Sequence, residues 1–299
     1  MENSSGPRGQ VLSVNGVELF VRSFGDRALP MLVVIHGGPT WDHSYLLPAV
    51  AELSDVAHVV LFDLRGCGRS GRTPPMGHLP VEALQPDYLA DDVAALVRQL
   101  GADRADVLGF SYGGGVAMRV VDQHQDVVRR VILGSTTAYH DFAAELEASA
   151  DYHERGALCT EIDFTDPALT GPDAPDGALS RAMASGRAPR DVWHLDRLDE
   201  WREVLGNVRF SSDWNAPYAA GLLRRAAPDD PVKALTTWGG RVLLLQGRHD
   251  LTFPVGVTRR LHAEVPGSVL VEVPHAGHMA HFDNPSVWIS AIRRFLCCR

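Results

Sequence analysis

A series of short apolar runs, separated by helix-like stretches, constrains the fold of this chain more than any other feature. The runs are "MLVVIHGGP" (31–39), "HVVLFDLRG" (58–66), "RADVLGF" (104–110), "VVRRVILGS" (127–135), "GRVLLLQG" (240–247) and "SVLVEV" (268–273). A strand that faces solvent on one side alternates apolar and polar residues. A strand covered on both sides is apolar throughout, and these runs are of the second kind. Between them, "DYLADDVAALVRQL" (87–100) places Leu89, Val93, Leu96, Val97 and Leu100 on one helical face. "SYGGGVAMRVVDQH", residues 255–264 and "NPSVWISAIRRFL" also read as helices, and "SYLLPAVAELS" as a helix interrupted or started around Pro48. Strands alternating with helices predict an α/β fold with a mostly parallel central sheet flanked by helices. Ahead of it, "VLSVNGVELFVRSFG" reads as two strands joined at Asn15-Gly16.

The rhythm breaks over residues 135–238. "TTAYHDFAAELEASADYHERG" reads as a helix, "DFTDPALTGPDAPDG" is rich in turn formers, and four tryptophans follow at 193, 201, 214 and 238. The segment is too long for an ordinary loop. It is expected to be a largely helical cap over a pocket, with 1–134 and 239–299 as the two parts of the core. The turn-rich stretch 166–177 is expected to be a mobile loop.

Composition narrows the function by exclusion. The 299 residues carry 28 basic and 37 acidic side chains, a formal charge of −9, which argues against nucleic acid or an anionic membrane as the main partner. The 4 cysteines form no CxxC pair, so neither a zinc knuckle nor a disulfide framework is suggested. The polar stretch "MENSSGPRGQ" has no apolar signal core and no run approaches a membrane span, so a cytoplasmic location is the expectation.

The chemistry centres on "GFSYG" at 109–113, which follows a strand and precedes a helix. That context is the one a G-x-S-x-G nucleophile elbow requires: a sharp turn exposes the hydroxyl and leaves helix-start N–H groups near a reacting carbonyl. The competing reading makes Ser111 a plain helix cap. A nucleophilic serine needs a base, and the base an acid to orient it. Asp250 stands just past one strand in "LLLQGRHDLTFP", and His278 follows the last strand in "VEVPHAGHMAHFDNP". His275 and His281 are the rival bases. The spacing of the three histidines matches no zinc-protease motif, and the chemistry requires neither metal nor organic cofactor. "HGGP" at 36–39 offers a second glycine loop, with Gly38 and Tyr112 as the expected backbone oxyanion donors and His36 as an organiser of the loop. "DLRGCGRS" lacks the full spacing of a phosphate-binding loop and reads as a structured loop beside the site, with Cys67 a possible accessible thiol.

Together, "HGGP", "DLRGCGRS", "GFSYGG", "GRHD" and the Gly277-His278 pair resemble the α/β-hydrolase superfamily, and more narrowly the proline iminopeptidases and their relatives. The resemblance spans most of the chain, in order. It implies a triad of Ser111, Asp250 and His278, oxyanion donors at Gly38 and Tyr112, and a helical cap that supplies acids for a substrate's free amine. Glu145, Glu200, Glu203 and the neighbouring Trp201 are candidates for that cap site, as are Glu147, Glu154 and Glu161. The expected function is release of an N-terminal residue, preferably proline, from small peptides through an acyl-enzyme. The alternatives are an esterase or amidase for a small hydrophobic metabolite, and a noncatalytic binding protein on the same fold.

Overall fold

A computed structural model describes residues 9–71 and 79–298; residues 1–8, 72–78 and 299 lie outside the described residues. The eight strands are β1 (Gln10–Val14), β2 (Val17–Phe24), β3 (Met31–Ile35), β4 (His58–Phe62), β5 (Ala105–Phe110), β6 (Val128–Gly134), β7 (Arg241–Gly247) and β8 (Val269–Val273). They form one sheet in the order β1-β2-β4-β3-β5-β6-β7-β8. From β4 to β8 every pairing is parallel, whereas β1, β2 and β4 pair antiparallel. The β1–β2 hairpin turns at Asn15 and Gly16, whose φ values of 47° and 77° are those of the tight turn expected there.

The apolar runs are covered on both faces. Val33, Ile35, Val60 and Phe62 point into one core with the helices Pro86–Gln99, Tyr112–His124 and Val255–Glu264. Leu32, Val34, Val59 and Leu61 point into the other with Trp288, Ile289, Ile292 and Phe295 of the helix Pro285–Cys297. Each such buried side chain contributes roughly 1.5–3 kcal/mol, which is why the sheet forms without any polar alternation. The last helix starts where Asn284 accepts the Val287 N–H and Pro285 fills the first turn.

Between β6 and β7 the described chain contributes helices and turns but no strand. The expected single helix at 136–156 is instead two, Ala143–Glu147 and Ala150–Gly156, because Ser149 breaks the first and caps the second by accepting the Tyr152 N–H. In the turn-rich stretch, Asp166 likewise caps a short helix, Pro167–Thr170. The longest helix of this region, Ala178–Asp191, faces the sheet's carboxyl ends. Among the described residues, no helix is long and apolar enough to cross a membrane.

Candidate active site

The strand order determines where a site can form. After β3 the chain moves to one side for β4 and then to the other side of β3 for β5. Loops leaving β3 and β5 therefore diverge, and a crevice opens between them at the carboxyl edge of the sheet. The "HGGP" loop and Ser111 stand on its two lips.

Ser111 occupies the helix-start position but does not cap the helix. Its φ of 53° and ψ of −118° are a strained combination for a residue with a side chain. The backbone is held there at both ends: its N–H donates to Gly134 O (2.9 Å), and its carbonyl accepts from Gly114 N (2.9 Å) and Thr136 Oγ1 (2.7 Å). The turn is so tight that a Cβ on Gly109 would collide with the Gly113 carbonyl, and one on Gly113 with the Ile35 carbonyl. The glycines on either side of the serine are thus required by packing.

The Ser111 hydroxyl meets His278, whose Nε2 lies 3.0 Å from Oγ, and His278 Nδ1 lies 2.9 Å from Asp250 Oδ2. A carboxylate only accepts, so Nδ1 carries the proton and Nε2 is left to accept the serine O–H. Asp250 is buried and receives three further donors: Thr252 N (2.7 Å) and Phe253 N (2.9 Å) on Oδ1, and Gln246 Nε2 (2.6 Å) on Oδ2. These fix the carboxylate's orientation and, through it, the imidazole's. An imidazole held this way can take a hydroxyl proton as the oxygen attacks and return it to a leaving group. Of the rival histidines, His275 is exposed with φ 52°. His281 is buried among the rings of Tyr45, Phe110, Trp201 and Trp288.

The opposite lip is organised by His36, as expected. Its Nε2 accepts the Leu64 N–H (3.0 Å) and its Nδ1 donates to Gly37 O (2.7 Å), while burial, first of all, lowers its pKa and keeps it neutral. The Gly37 N–H is taken by the Tyr45 hydroxyl (2.8 Å). Gly38 follows with φ 101°, and its N–H has no acceptor among the described residues. Tyr112 is the first helical residue, so its N–H has no intrahelical acceptor either. Both residues line the same cavity as Ser111.

That cavity is about 500 Å³ in volume, and Trp41, Leu179, Met183, Trp214, Tyr218 and Phe253 give it a mainly apolar wall. Helices between β6 and β7 close it from above and are pinned to both loops of the candidate triad. The Asp191 carbonyl accepts from Met279 N (2.9 Å), and Trp193 stacks on His249 at 3.8 Å between centroids. Asp283 binds the two layers together: it accepts from Gly277 N (2.8 Å), next to His278, and from Trp193 N (2.9 Å) and His194 N (3.3 Å) in the cap. D283A should lower stability by about 1–3 kcal/mol in urea unfolding, since the buried Gly277 N–H and the half-buried Trp193 and His194 N–H groups lose a common acceptor.

The proposed amine anchors do not reach the cavity. Glu145 and Glu203 are exposed, and Glu200 is an exposed partner of Arg197 (2.9 Å). Trp201 is fully buried against Tyr45, His281 and Phe282, behind the wall instead of in it. Glu200 and Glu203 lie on the outer face of the helix Leu198–Asn207, whose buried side chains are Trp201 and Leu205. Cys67 is also corrected: it is fully buried, with Sγ against the Pro39 carbonyl. The "DLRGCGRS" loop is structural. Asp63 binds His43 Nδ1 (2.5 Å) and Arg69 N (2.8 Å), and Arg65 grips Asp92 with Nε (2.7 Å) and Nη2 (2.5 Å). Sequence reasoning missed Gln246, Asp283 and the Arg187–Asp191 pair. Only the last left a trace, as opposite charges four apart in a helix.

Comparison with known proteins agrees with the fold. The family model described as "alpha/beta hydrolase fold" matches residues 30–285. A proline iminopeptidase of Saccharolobus solfataricus is 26% identical over 89% of this chain and 84% of its own length. Haloalkane dehalogenase 2 of Mycobacterium tuberculosis is 29% identical over 88% of this chain and 86% of its own. A thermophilic esterase from Thermogutta terrifontis superposes with a TM-score of 0.70 at 26% identity, covering 97% of this chain and 98% of the esterase. The relatives thus differ in the reaction named for each, while the fold fits a small-molecule hydrolase. The chain belongs to the α/β-hydrolase fold family, with a mostly parallel central sheet, flanking helices and a helical cap insertion.

Proposed function

We propose that this protein is a serine hydrolase that cleaves a small, mainly apolar ester, lactone or amide through an acyl-enzyme. In this reading Ser111 attacks the carbonyl with His278 as base, and Asp250 orients His278 and stabilises its imidazolium. The N–H groups of Gly38 and Tyr112 receive the developing oxyanion. His278 then protonates the leaving group and activates the water that releases the acid. A serine also selects acyl transfer over the displacement chemistry of a dehalogenase. An acyl group on Oγ is an ester that water can hydrolyse, whereas an alkyl group there would be a stable ether.

The observation that carries the choice of substrate is the cavity wall. An aminopeptidase needs a carboxylate to receive the substrate's ammonium group. Asp191 is the only carboxylate on the wall among the described residues, and it is engaged by Arg187 (3.0 Å) and Thr252 Oγ1 (3.3 Å). An acyl ester without an ammonium group meets no such requirement and gains from the mainly apolar wall. The expected result is turnover of short-chain aryl esters with kcat/KM at least about tenfold above that of prolyl and alanyl arylamides, and no loss when the amine is blocked. Arylamide turnover that exceeds ester turnover and disappears on N-blocking would favour the aminopeptidase instead.

A further inference from the structure

The charged pair on the cavity wall has two unequal ends. Arg187 and Asp191 lie one turn apart on the helix Ala178–Asp191. Asp191 is turned inward, with 2% of its side chain accessible, and its Oδ1 accepts from Arg187 Nε (3.1 Å) and Thr252 Oγ1 (3.3 Å). Arg187 keeps 47% of its side chain accessible and lines the cavity. Its Nε is held by Asp191 and its Nη2 donates to Thr252 Oγ1 (2.8 Å), while Nη1 has no acceptor among the described residues. Because the guanidinium is planar, fixing one edge fixes the direction of the other. The loop that holds it is the one that holds Asp250, since Thr252 also donates its backbone N–H to that carboxylate. A cation is therefore mounted in a cleft whose other walls are mainly apolar, and its spare donors match a carboxylate.

Resting on the acyl-transfer reading above, we infer that Arg187 is a specificity-determining residue that binds a carboxylate of the substrate through Nη1. The preferred substrate is then a small ester, lactone or amide with an apolar body and one carboxylate remote from the scissile carbonyl. A purely structural Arg187, pinning the cap helix to Thr252, would affect stability and leave substrate preference alone.

The test compares p-nitrophenyl hemiglutarate with p-nitrophenyl valerate, which have acyl chains of the same length and differ in a terminal carboxylate. The wild-type ratio of kcat/KM, hemiglutarate over valerate, is expected to exceed that of R187Q/D191N by about 10- to 100-fold. Removing both charges avoids leaving Asp191 buried and unpaired. R187K, which keeps the charge, should recover part of the ratio. Thermal-shift titration with glutarate, which needs no turnover, should show stabilisation of wild type that is lost in R187Q/D191N. Equal ratios and equal glutarate effects in wild type and variants overturn the inference and leave the acyl-transfer reading standing. Glutarate binding that depends on Arg187, without ester turnover by wild type, supports the anion site and overturns the acyl-transfer reading alone.

Discussion

S111A is expected to lower kcat for an aryl ester by about 10⁴- to 10⁶-fold, with little change in the fold. The loss is large because no neighbouring group can replace the oxygen. His278 Nε2 points at Oγ from 3.0 Å, and the cavity offers that imidazole no second hydroxyl in the same place. The fold survives because Ser111 contributes to it through its backbone bonds to Gly134, Gly114 and Thr136, which alanine keeps. The strain at φ 53° adds a second expectation from the same site. S111G should be more stable than S111A by about 1 kcal/mol, since glycine adopts this conformation without crowding. Equal thermal stabilities of the two, or S111A turnover near wild type, would contradict the account of the elbow. Substitution at this serine therefore separates stability from activity: the residue best suited to the backbone lacks the reacting atom.

Replacing His281 should change the acid stability of the protein by roughly 3 kcal/mol near pH 4.5. Burial, and after it the nearby His278, pushes the His281 pKa down from its ordinary 6.5 to about 3. The folded protein thus keeps this imidazole neutral where the unfolded chain protonates it. Below the ordinary value of 6.5 the unfolded state binds the additional proton. Stability is therefore lost as pH falls from about 6.5 toward 3, at about 1.4 kcal/mol per pH unit. In H281F an apolar ring takes a place already surrounded by Tyr45, Phe110, Trp201 and Trp288. Urea unfolding from pH 7.5 to 4.5 should show H281F losing about 3 kcal/mol less than wild type over that range. Parallel profiles would show that His281 is not kept neutral by its surroundings. His36, whose pKa burial also lowers, contributes to the slope of both proteins and cancels in the comparison.

The sequence reveals the sheet and the candidate triad for the same reason. Both depend on local patterns of short range: doubly covered strands are apolar throughout, and each functional side chain follows such a strand by a few residues. Gly109 and Gly113 can be read because a crowded turn leaves a composition signature. The "HGGP" loop can be read as an oxyanion element. What the motif does not show is why Gly38 and not Gly37 would donate: the Tyr45 hydroxyl, eight residues along the chain, occupies the Gly37 N–H.

The cap is less legible. Most of its helices are short, some are started by side-chain caps such as Ser149 and Asp166, and they pack by contacts remote in sequence. Trp201 and Trp214 illustrate the problem. Both are fully buried aromatic residues, yet Trp214 lines the cavity and Trp201 lies behind it, and no spacing rule separates them. The amine-site glutamates fail on the same ground. An acid's place in the sequence of a helix does not say which face meets the pocket unless the helix's own register is known. Asp283 is the clearest case. Its partners at Trp193 and His194 are about a third of the chain away, and only the folded cap brings them to it.

The central claim is that Ser111 is the acyl-accepting nucleophile activated by His278. Intact-mass analysis after treatment with a fluorophosphonate, followed by peptide mapping, tests it most directly. One adduct per chain is expected, on the peptide containing Ser111, absent in S111A and formed at least about 100-fold more slowly in H278A. An unmodified wild-type protein, or an adduct that forms undiminished in S111A, would contradict it.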